Sequence, residues 1–455
     1  MSHPALLVPS SRPNFSFTSR GGGLGWCAQV VLVSGVPMSK LPQHRRWISW
    51  FRLRFAGAAL TLSIVLIPAI EAIPAAQAQT FTVLYTFTGM SDQGRPDTPL
   101  LRDTAGNLYG TTVMDSIFKF STSGQLTTLH FFHGFRPPSE LNGLYMTPQG
   151  ILYDTSARGG HYKYGTVLKI FPSGGAKQLW QFSGVQDGAT PSGGLIRDAK
   201  GIFYGVTALG GVGSCDLGCN GTVFQIDLKA IPIVQILYTF TGGADGEGPV
   251  GTLIRDATGN LYGTTLAGGQ FGWGTVFKLD KTGKETVLHS FTGGADGNTP
   301  RAGVIRDSAG NLYGTTLYGG DLTCNAGGFD GCGVVFKLSK SGQETILHTF
   351  EGGTNDGSAP LAGLVRDSSG NLYGSTVSGG GLSCTNGDLG CGIVFKINAT
   401  QTFTVLHAFT GGSDGLGPVG GVILDSAGNL YGTAGEGAGT GCGGFGCGVI
   451  FKITP

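Results

Sequence analysis

The chain has 455 residues, of which 83 are glycine and 20 are proline. Only 13% are charged and the net charge is +1, which excludes long helices and coiled coils and leaves no basic surface for nucleic acid or an acidic membrane. The hydrophobic share of 40% and the aromatic share of 10% argue against disorder. The composition therefore predicts a glycine-rich, turn-rich β protein.

The first 78 residues read as a targeting segment. A basic stretch precedes an apolar run over residues 55–70, and residues 76–78 read Ala-Gln-Ala, the form that signal peptidase accepts. We expect cleavage after this motif, with an uncleaved membrane anchor as the alternative. Met38 is the expected true start, with residues 1–37 upstream of it. The mature chain, residues 79–455, is therefore expected to be secreted, periplasmic or on the cell surface.

A tandem repeat dominates the rest of the sequence. Asn-Leu-Tyr-Gly or a close variant recurs about every 54 residues, with its tyrosine at Tyr109, Tyr153, Tyr204, Tyr262, Tyr313, Tyr373 and Tyr431. Each unit holds four short runs with strand character, which in residues 249–298 are Gly251–Arg255, Asn260–Thr265, Gly274–Leu279 and Glu285–Phe291. Asp-x-x-Gly turns join the first run to the second and the third to the fourth. This pattern predicts an all-β, seven-bladed β-propeller with four-stranded antiparallel blades.

The two ends of the repeat array predict how the ring closes. The last unit stops after its third strand, while the mature chain begins with Thr80–Phe87, a fourth-strand sequence with no unit before it. In a ring this N-terminal strand completes the last blade and leaves no strand edge unpaired. A stacked solenoid is the alternative, but it would leave both ends open. We therefore expect a single propeller over residues 79–455.

The quoted unit also carries a family resemblance. GNLYGTT, GTVFKL and ETVLHSFTGGADGNTP resemble the Gloeo/Verruco-type tandem repeat of exported bacterial proteins over about residues 80–455. Unit two departs most, because residues 144–148 replace the usual Leu-Ile-Arg-Asp and Asp154 replaces the glycine after the repeat tyrosine. The resemblance implies export and tandem β repeats, and it implies no defined reaction.

Eight of the nine cysteines lie in the repeats. They form pairs between the second and third strands of units three, five, six and seven: Cys215/Cys219, Cys324/Cys332, Cys384/Cys391 and Cys442/Cys447. The other units lack both members of the pair, which predicts local disulfides made in an oxidising compartment. Metal binding is the alternative, but the spacings vary and no histidine lies beside the pairs. Cys27 precedes the expected cleavage site.

Recurrent polar residues are explained by turn formation and packing. The connections between blades each carry one carboxylate, at Asp92, Asp187, Asp245, Asp296, Asp356 and Asp414. Such a ring could hold Ca²⁺, but one Asp among glycines is ordinary turn chemistry, so we expect no cofactor, with calcium as the alternative. The histidines His130, His289, His348 and His407 align with Tyr85, Trp180 and Tyr238, which indicates packing positions. The Arg-Asp pairs before the hairpin turns are expected to anchor those turns.

Residues that break the repeat are better candidates for function. They lie on the face that carries the second-to-third-strand loops and the blade connections, where chain length varies most. The binding candidates are Arg158, His161, Tyr162, Tyr164, Phe271, Trp273, Tyr318, Phe329 and Phe445. Exposed aromatics flanked by glycine suit sugar rings or the apolar anchors of a protein partner, and filling gaps beneath the loops is the alternative. His161 could act as an acid or base, but no partner for it can be named.

Three functional hypotheses follow. The first is an exported, non-enzymatic and monomeric propeller that binds extracellular polysaccharide or protein through its loop-rich face. The second is a lyase or hydrolase acting on polysaccharide, with its site at the channel mouth. The third is a structural surface protein. No zinc-protease motif or phosphate loop is present in the sequence, and we assign no catalytic and no metal-binding residue.

Overall fold

The computed structural model describes residues 79–132, 139–211, 220–228, 231–326, 328–381, 384 and 390–455. Within these residues the regular secondary structure consists of β-strands, with one short 3₁₀ turn at Cys442–Gly444. The expected signal segment, residues 1–78, lies outside the described residues, and its cleavage stays a prediction. No helix among the described residues has the length and apolarity needed to cross a membrane.

The repeat forms seven antiparallel blades arranged as a β-propeller, as predicted. Blade 4 shows the pattern most clearly, with strands Glu247–Arg255, Leu261–Ala267, Thr275–Leu279 and Glu285–Ser290 in spatial order. Three of these strands match the sequence prediction to within two residues. The first strand is longer than predicted because its register shifts between Val250 and Ile254, so that two paired segments flank a bulge.

The remaining blades follow the same order, from the first strand at the ring centre to the fourth at the rim. Blade 1 comprises Leu101–Arg102, Leu108–Thr112, Ser116–Phe120 and Leu126–Phe131. In blades 2 and 3 the first strand is split into two segments. Blade 2 comprises Ser139–Leu141 with Tyr145–Met146, then Leu152–Arg158, Thr166–Ile170 and Ala176–Gln181. Blade 3 comprises Ala189–Pro191 with Ile196–Arg197, then Phe203–Leu209, Thr222–Asp227 and Ile233–Thr239. Blade 5 comprises Ile305–Arg306, Leu312–Thr316, Val334–Leu338 and Glu344–Thr349. Blade 6 comprises Val365–Arg366, Leu372–Thr376, Ile393–Ile397 and Phe403–Ala408. Two small loop ladders pair Asn325–Ala326 with Phe329–Asp330 and Gly357–Ser358 with Ser378–Gly379.

Blade 7 is completed by the N-terminal strand, which confirms the predicted closure. Its strands Val422–Leu424, Leu430–Ala434 and Val449–Thr454 are followed at the rim by Thr80–Thr86. The pairing is antiparallel and runs from Thr80 opposite Thr454 to Thr86 opposite Val449. The first and last segments of the repeat array are thus hydrogen-bonded, which a solenoid would not allow, and the outer edge of the third strand is covered.

The core lies between neighbouring blades. A phenylalanine at the end of one fourth strand packs edge-on against a third-strand phenylalanine of the next blade, as Phe240 does on Phe277 with ring centroids 5.1 Å apart. In six of the seven blades the glycine after the repeat tyrosine makes room for that ring; a Cβ on Gly263, for example, would lie 2.7 Å from Cζ of Phe277. This close approach explains why the repeat needs glycine at that position.

The hairpin turns and the blade seams share one polar motif. In blade 4, Asp256 accepts hydrogen bonds from the backbone N–H of Asn260 and from the hydroxyl of Tyr262. Arg306 of the next blade lies over the Tyr262 ring, 5.8 Å from its centroid. The carboxylates of the predicted Arg-Asp pairs therefore anchor turns, and the arginines cover the tyrosine of the preceding blade.

Candidate functional site

The second-to-third-strand loops and the blade connections meet on one side of the ring, which we call the loop face. In blade 4 the loop over residues 268–274 contacts the connection over residues 241–246, where the N–H of Gly269 donates to the carbonyl of Gly243 at 2.8 Å. The same contact recurs in later blades, for example between Gly320 and Gly294 at 2.9 Å. Loops and connections thus form one continuous surface.

The acidic residues of the connections are engaged within their own loops. Asp245 accepts the backbone N–H of Thr241 at 2.8 Å, and Asp187 accepts that of Ser183 at 2.8 Å. At the rim, Tyr238 and Trp180 donate to the same two carboxylates. This geometry matches the turn role expected for these aspartates.

The predicted binding residues lie in separate loops of the loop face. Tyr162, Phe271, Trp273 and Phe445 are about half-exposed, Arg158 and His161 are exposed, and Tyr164 and Tyr318 are partly buried. The Phe329 side chain lies outside the described part of the structure. The backbone N–H of His161 donates to Gln181 at 2.7 Å, and its ring meets that of Tyr162 edge-on. None of the nine lines the two central cavities described below, so their binding role stays a prediction.

Two of these aromatics have a packing partner that the sequence did not reveal. Trp273 and Tyr164 stand where other blades have the second cysteine, just before the glycine that opens the third strand. Each covers the first glycine of the next connection, because a Cβ on Gly293 would lie 2.5 Å from the Trp273 indole nitrogen. In blade 6 the sulfur of Cys391 lies 3.1 Å from the same point on Gly411. An aromatic ring or a disulfide therefore fills one recurrent slot.

Three of the four predicted disulfides are present. Cys324 is bonded to Cys332, Cys384 to Cys391 and Cys442 to Cys447, with Cα–Cα separations of 5.7, 5.5 and 5.3 Å. The fourth predicted pair, Cys215 and Cys219, lies outside the described residues. Each observed disulfide closes a loop of the loop face.

The blades surround a central channel with a cavity of about 320 Å³. Its wall is made mostly of glycine, alanine and aliphatic residues, because the first strands approach each other closely at the axis. Four residues at equivalent positions of blades 3, 5, 6 and 7 line this cavity: Ser192, Arg301, Leu361 and Val419. In the repeat alignment the same position holds Leu141 in blade 2, Val250 in blade 4 and Asp97 in blade 1, so Arg301 and Asp97 are the charged residues of this set.

Asp97 lines a second cavity, of about 440 Å³, which we call the mouth pocket. Blades 6, 7 and 1 form it on the loop-face side of the channel, with an apolar wall of Val113, Leu361, Leu416 and Val419. Arg95 and Glu436 form an ion pair at its edge, and the Nε of Arg95 is buried with no hydrogen-bond partner.

The Asp97 side chain is partly buried. Thr111 donates its hydroxyl to Asp97 at 3.2 Å. Burial raises the pKa of Asp97 to about 7, although the Thr111 hydrogen bond and the charge of Arg95 act in the opposite direction. Near neutral pH this side chain therefore exists in both the protonated and the ionised form, so it can donate or accept a hydrogen bond in the pocket.

Asp154 is a second buried acid, electrostatically coupled to Asp97. Its Oδ1 accepts the backbone N–H groups of Asn142, Gly143 and Thr155 at 3.3, 3.0 and 2.7 Å. Its Oδ2 is buried with no partner. Burial raises the pKa of Asp154 to about 7, and the charge of Asp97 contributes in the same direction.

The comparisons with known proteins agree with the repeat pattern. The model of the Gloeobacter/Verrucomicrobia repeat matches residues 73–215, 114–323 and 322–455. The chain belongs to this family. No curated protein matches this Gloeobacter/Verrucomicrobia repeat protein in sequence.

Solved structures share the fold of the Gloeobacter/Verrucomicrobia repeat protein at low sequence identity. Virginiamycin B lyase from Staphylococcus aureus is 11% identical with a TM-score of 0.52, and the alignment covers 83% of this chain and 99% of the lyase. The extracellular domain of a proposed hybrid two-component system from B. thetaiotaomicron is 13% identical with a TM-score of 0.51, over 83% of this chain and 41% of that one. At these identities the likeness concerns the fold alone.

The sequence interpretation of this Gloeobacter/Verrucomicrobia repeat protein placed an alternative site at the channel mouth but did not identify the residues that form the mouth pocket. Arg95, Asp97 and Glu436 were not among its candidates, and Asp154 was noted only as a departure from the repeat. The available signal was positional, because Asp97 stands where four other units have an aliphatic residue. That signal gains meaning only when the ring places blade 7 beside blade 1.

Proposed function

We propose that the mature chain is exported and binds an extracellular glycan in the mouth pocket of its loop face. One observation carries the proposal: an apolar wall lies beside charged groups that depart from the repeat. Sugar rings present an apolar face and a rim of hydroxyls, and they need this combination of surfaces. A cavity of about 440 Å³ falls within the usual range for small-ligand pockets.

The polar groups of the pocket suit hydroxyl recognition. The unpartnered Nε–H of Arg95 can donate to a sugar oxygen, and burying a donor without an acceptor has a free-energy cost that such a contact would relieve. Asp97 can accept from or donate to a neighbouring hydroxyl, according to its protonation state. Val113 and Leu416 offer the apolar contact.

Export is the second part of the proposal. Disulfides form and persist in oxidising compartments, and three are present in the described loops. The targeting sequence over residues 1–78 also supports export. Detection of the protein in the culture medium or periplasm, with an N-terminus at residue 79, would test export separately from binding.

The binding test uses residues the chain itself provides. The mature oxidised chain is titrated calorimetrically with a panel of neutral and acidic polysaccharides and their oligosaccharides. Arg95→Gly and Asp97→Val together restore the residues of blade 4, Gly248 and Val250, so the fold should be retained. We expect this variant to lose at least tenfold in affinity, the effect of removing one or more charge-assisted hydrogen bonds.

Matched variants on the outer loops separate this site from the sequence-based one. Trp273→Ala and Tyr162→Ala should leave mouth-pocket binding unchanged. Loss of affinity in these variants, with normal binding by the Arg95→Gly/Asp97→Val variant, would instead favour the exposed aromatics. No binding to any glycan of the panel would refute the glycan proposal and favour a protein partner or a structural role.

Catalysis at the same mouth is the second candidate, favoured by the partly buried Asp97 carboxyl. With a pKa of about 7, Asp97 retains a proton to donate to a leaving oxygen near neutral pH. The corresponding activity is polysaccharide cleavage by hydrolysis or elimination, measured as new reducing or unsaturated ends. Turnover that falls as pH rises through about 7 and is abolished in Asp97→Asn would favour the enzyme. Glycan binding without turnover would favour the non-enzymatic binding function.

A further inference from the structure

The rim of the propeller carries a recurrent contact between neighbouring blades. In the seams between blades 4 and 5, 5 and 6, and 6 and 7, a histidine near the end of one fourth strand meets a residue that begins the fourth strand of the next blade. Between blades 5 and 6, His348 stacks on Phe403 with centroids 3.7 Å apart and planes at 3°. Between blades 6 and 7, His407 stacks on Phe81 with centroids 3.7 Å apart and planes at 9°.

In both stacked seams the imidazole has a clear hydrogen-bond partner. Nε2 of His348 lies 3.1 Å from Asp356, and Nε2 of His407 lies 3.1 Å from Asp414. Each aspartate belongs to the connection that follows its own histidine. In these two seams the histidine ring is therefore stacked on a phenylalanine and its Nε2 is hydrogen-bonded to an aspartate.

The seam between blades 4 and 5 replaces the phenylalanine with Glu344. Nε2 of His289 lies 3.3 Å from Oδ2 of Asp296 and 3.6 Å from Oε1 of Glu344. Neither His289 Nε2 nor Glu344 Oε1 has a hydrogen-bond partner, although both atoms are buried. The side chains of His289, Asp296 and Glu344 are only 18, 15 and 14% exposed, so solvent screens the charges of this cluster only weakly.

The three side chains have the spacing of metal ligands. One atom from each of His289, Asp296 and Glu344 lies within 4.8 Å of the other two. A tetrahedral zinc ion binds nitrogen and oxygen ligands at about 2.0–2.2 Å, which places pairs of ligand atoms about 3.4 Å apart. Calcium requires six to eight oxygens at longer distances, and it does not favour imidazole.

The groups around the cluster also favour a cation. Asp296 is held by the backbone N–H and the hydroxyl of Thr292, which orient its carboxylate toward His289. Two carboxylates beside an imidazole nitrogen form a nitrogen and oxygen donor set that suits a divalent cation.

We propose that His289, Asp296 and Glu344 bind a divalent transition-metal ion of the zinc type across the seam between blades 4 and 5. The ion joins two ligands from one blade to a third from the next. The remaining coordination position is left for water. The seam between blades 3 and 4 lacks this capacity, because Tyr238 replaces the histidine and donates its hydroxyl to Asp245 at 2.9 Å beside Glu285.

The chain supplies both a loss variant and a gain variant. Glu344→Phe converts the seam to the arrangement of His348 and Phe403. Phe403→Glu converts the His348 seam to the proposed metal-binding arrangement. The mature oxidised protein, stripped with EDTA and dialysed, is titrated with zinc chloride by calorimetry, and bound zinc is counted by elemental analysis. Cobalt substitution and X-ray absorption then report the ligand types.

We expect one zinc equivalent in the native chain, none in Glu344→Phe and two in Phe403→Glu. A zinc-dependent rise in the melting temperature should be present in the native chain and absent in Glu344→Phe. Absence of zinc binding by the native chain, or an unchanged equivalent in folded Glu344→Phe, would overturn the proposal. If Glu344→Phe fails to fold, Phe403→Glu decides: a second equivalent supports the site, and its absence refutes it.

Discussion

Replacing Asp154 by asparagine should make the protein less sensitive to pH. Asp154 is fully buried, and its Oδ1 accepts three backbone N–H groups while its Oδ2 has no partner. An asparagine carbonyl can keep the same three hydrogen bonds, and it cannot ionise. The variant therefore isolates the free-energy cost of the buried charge.

The magnitude follows from the pKa. Burial raises the pKa of Asp154 from 3.8 to about 7. Between about pH 4 and 7 the folded state binds a proton that the unfolded state has released, so the free energy of unfolding falls as pH rises through this window. A shift of about three units at about 1.4 kcal/mol each gives a loss of about 4 kcal/mol, reached near pH 7 and constant above it.

The assay compares guanidinium unfolding of the oxidised native chain and Asp154→Asn at several pH values between 4 and 8. The stability difference should shift by about 4 kcal/mol in favour of the variant across this range. Asp425→Asn is the control: burial raises the pKa of Asp425, but hydrogen bonds led by those of Asn429 outweigh burial and lower it. Because Asp425 is ionised in both the folded and the unfolded state above about pH 4, the stability difference for this variant should stay nearly constant between pH 4 and 8. A difference for Asp154→Asn that does not change with pH would refute the reasoning.

Three further outcomes are expected. Asp154→Gly and Leu168→Phe should each destabilise blade 2. The double variant restores the glycine–phenylalanine contact of the other blades, so it should recover most of the lost stability. Additive losses in chemical unfolding would contradict this packing argument. Replacing Cys384 and Cys391 by serine should lower the unfolding free energy by about 2 kcal/mol, the entropy of a short closed loop, and an unchanged denaturation midpoint would count against it. Deleting Thr80–Thr86 should expose the third strand of blade 7 and cause association detectable by light scattering, so a stable monomer would contradict the role of ring closure.

Much of the fold could be predicted because its determinants are local. The Asp256–Gly259 turn, the alternation along Thr275–Leu279 and the cysteine pairs are each contained within a few residues. Even the closure followed from local patterns, since a fourth-strand sequence without a unit before it implied pairing with the last unit. The extension of the first strand of blade 4 back to Glu247 was missed, because a bulge breaks its hydrophobic alternation.

The candidate sites were harder to predict because each lies between blades. Trp273 looked like an exposed aromatic, and only its position over Gly293 showed that it fills the slot of a cysteine. His289 aligned with packing residues, and its partner Glu344 lies in the next unit at an ordinary strand position. Sequence comparison within one unit cannot show which side chain of the neighbouring blade it meets.

The sequence by itself determined the repeat, the strand order, the ring closure and the disulfide pattern, because turn chemistry, strand alternation and loop length act within each unit. Tertiary structure alone decided which irregular residues meet. Arg95 and Glu436 are 341 residues apart and become neighbours only when the ring closes, which brings Asp97 beside an apolar wall from blades 6 and 7. Burial at the axis and at the seams then changes the protonation and ligand-binding properties of these side chains, and burial is a property of the assembled ring.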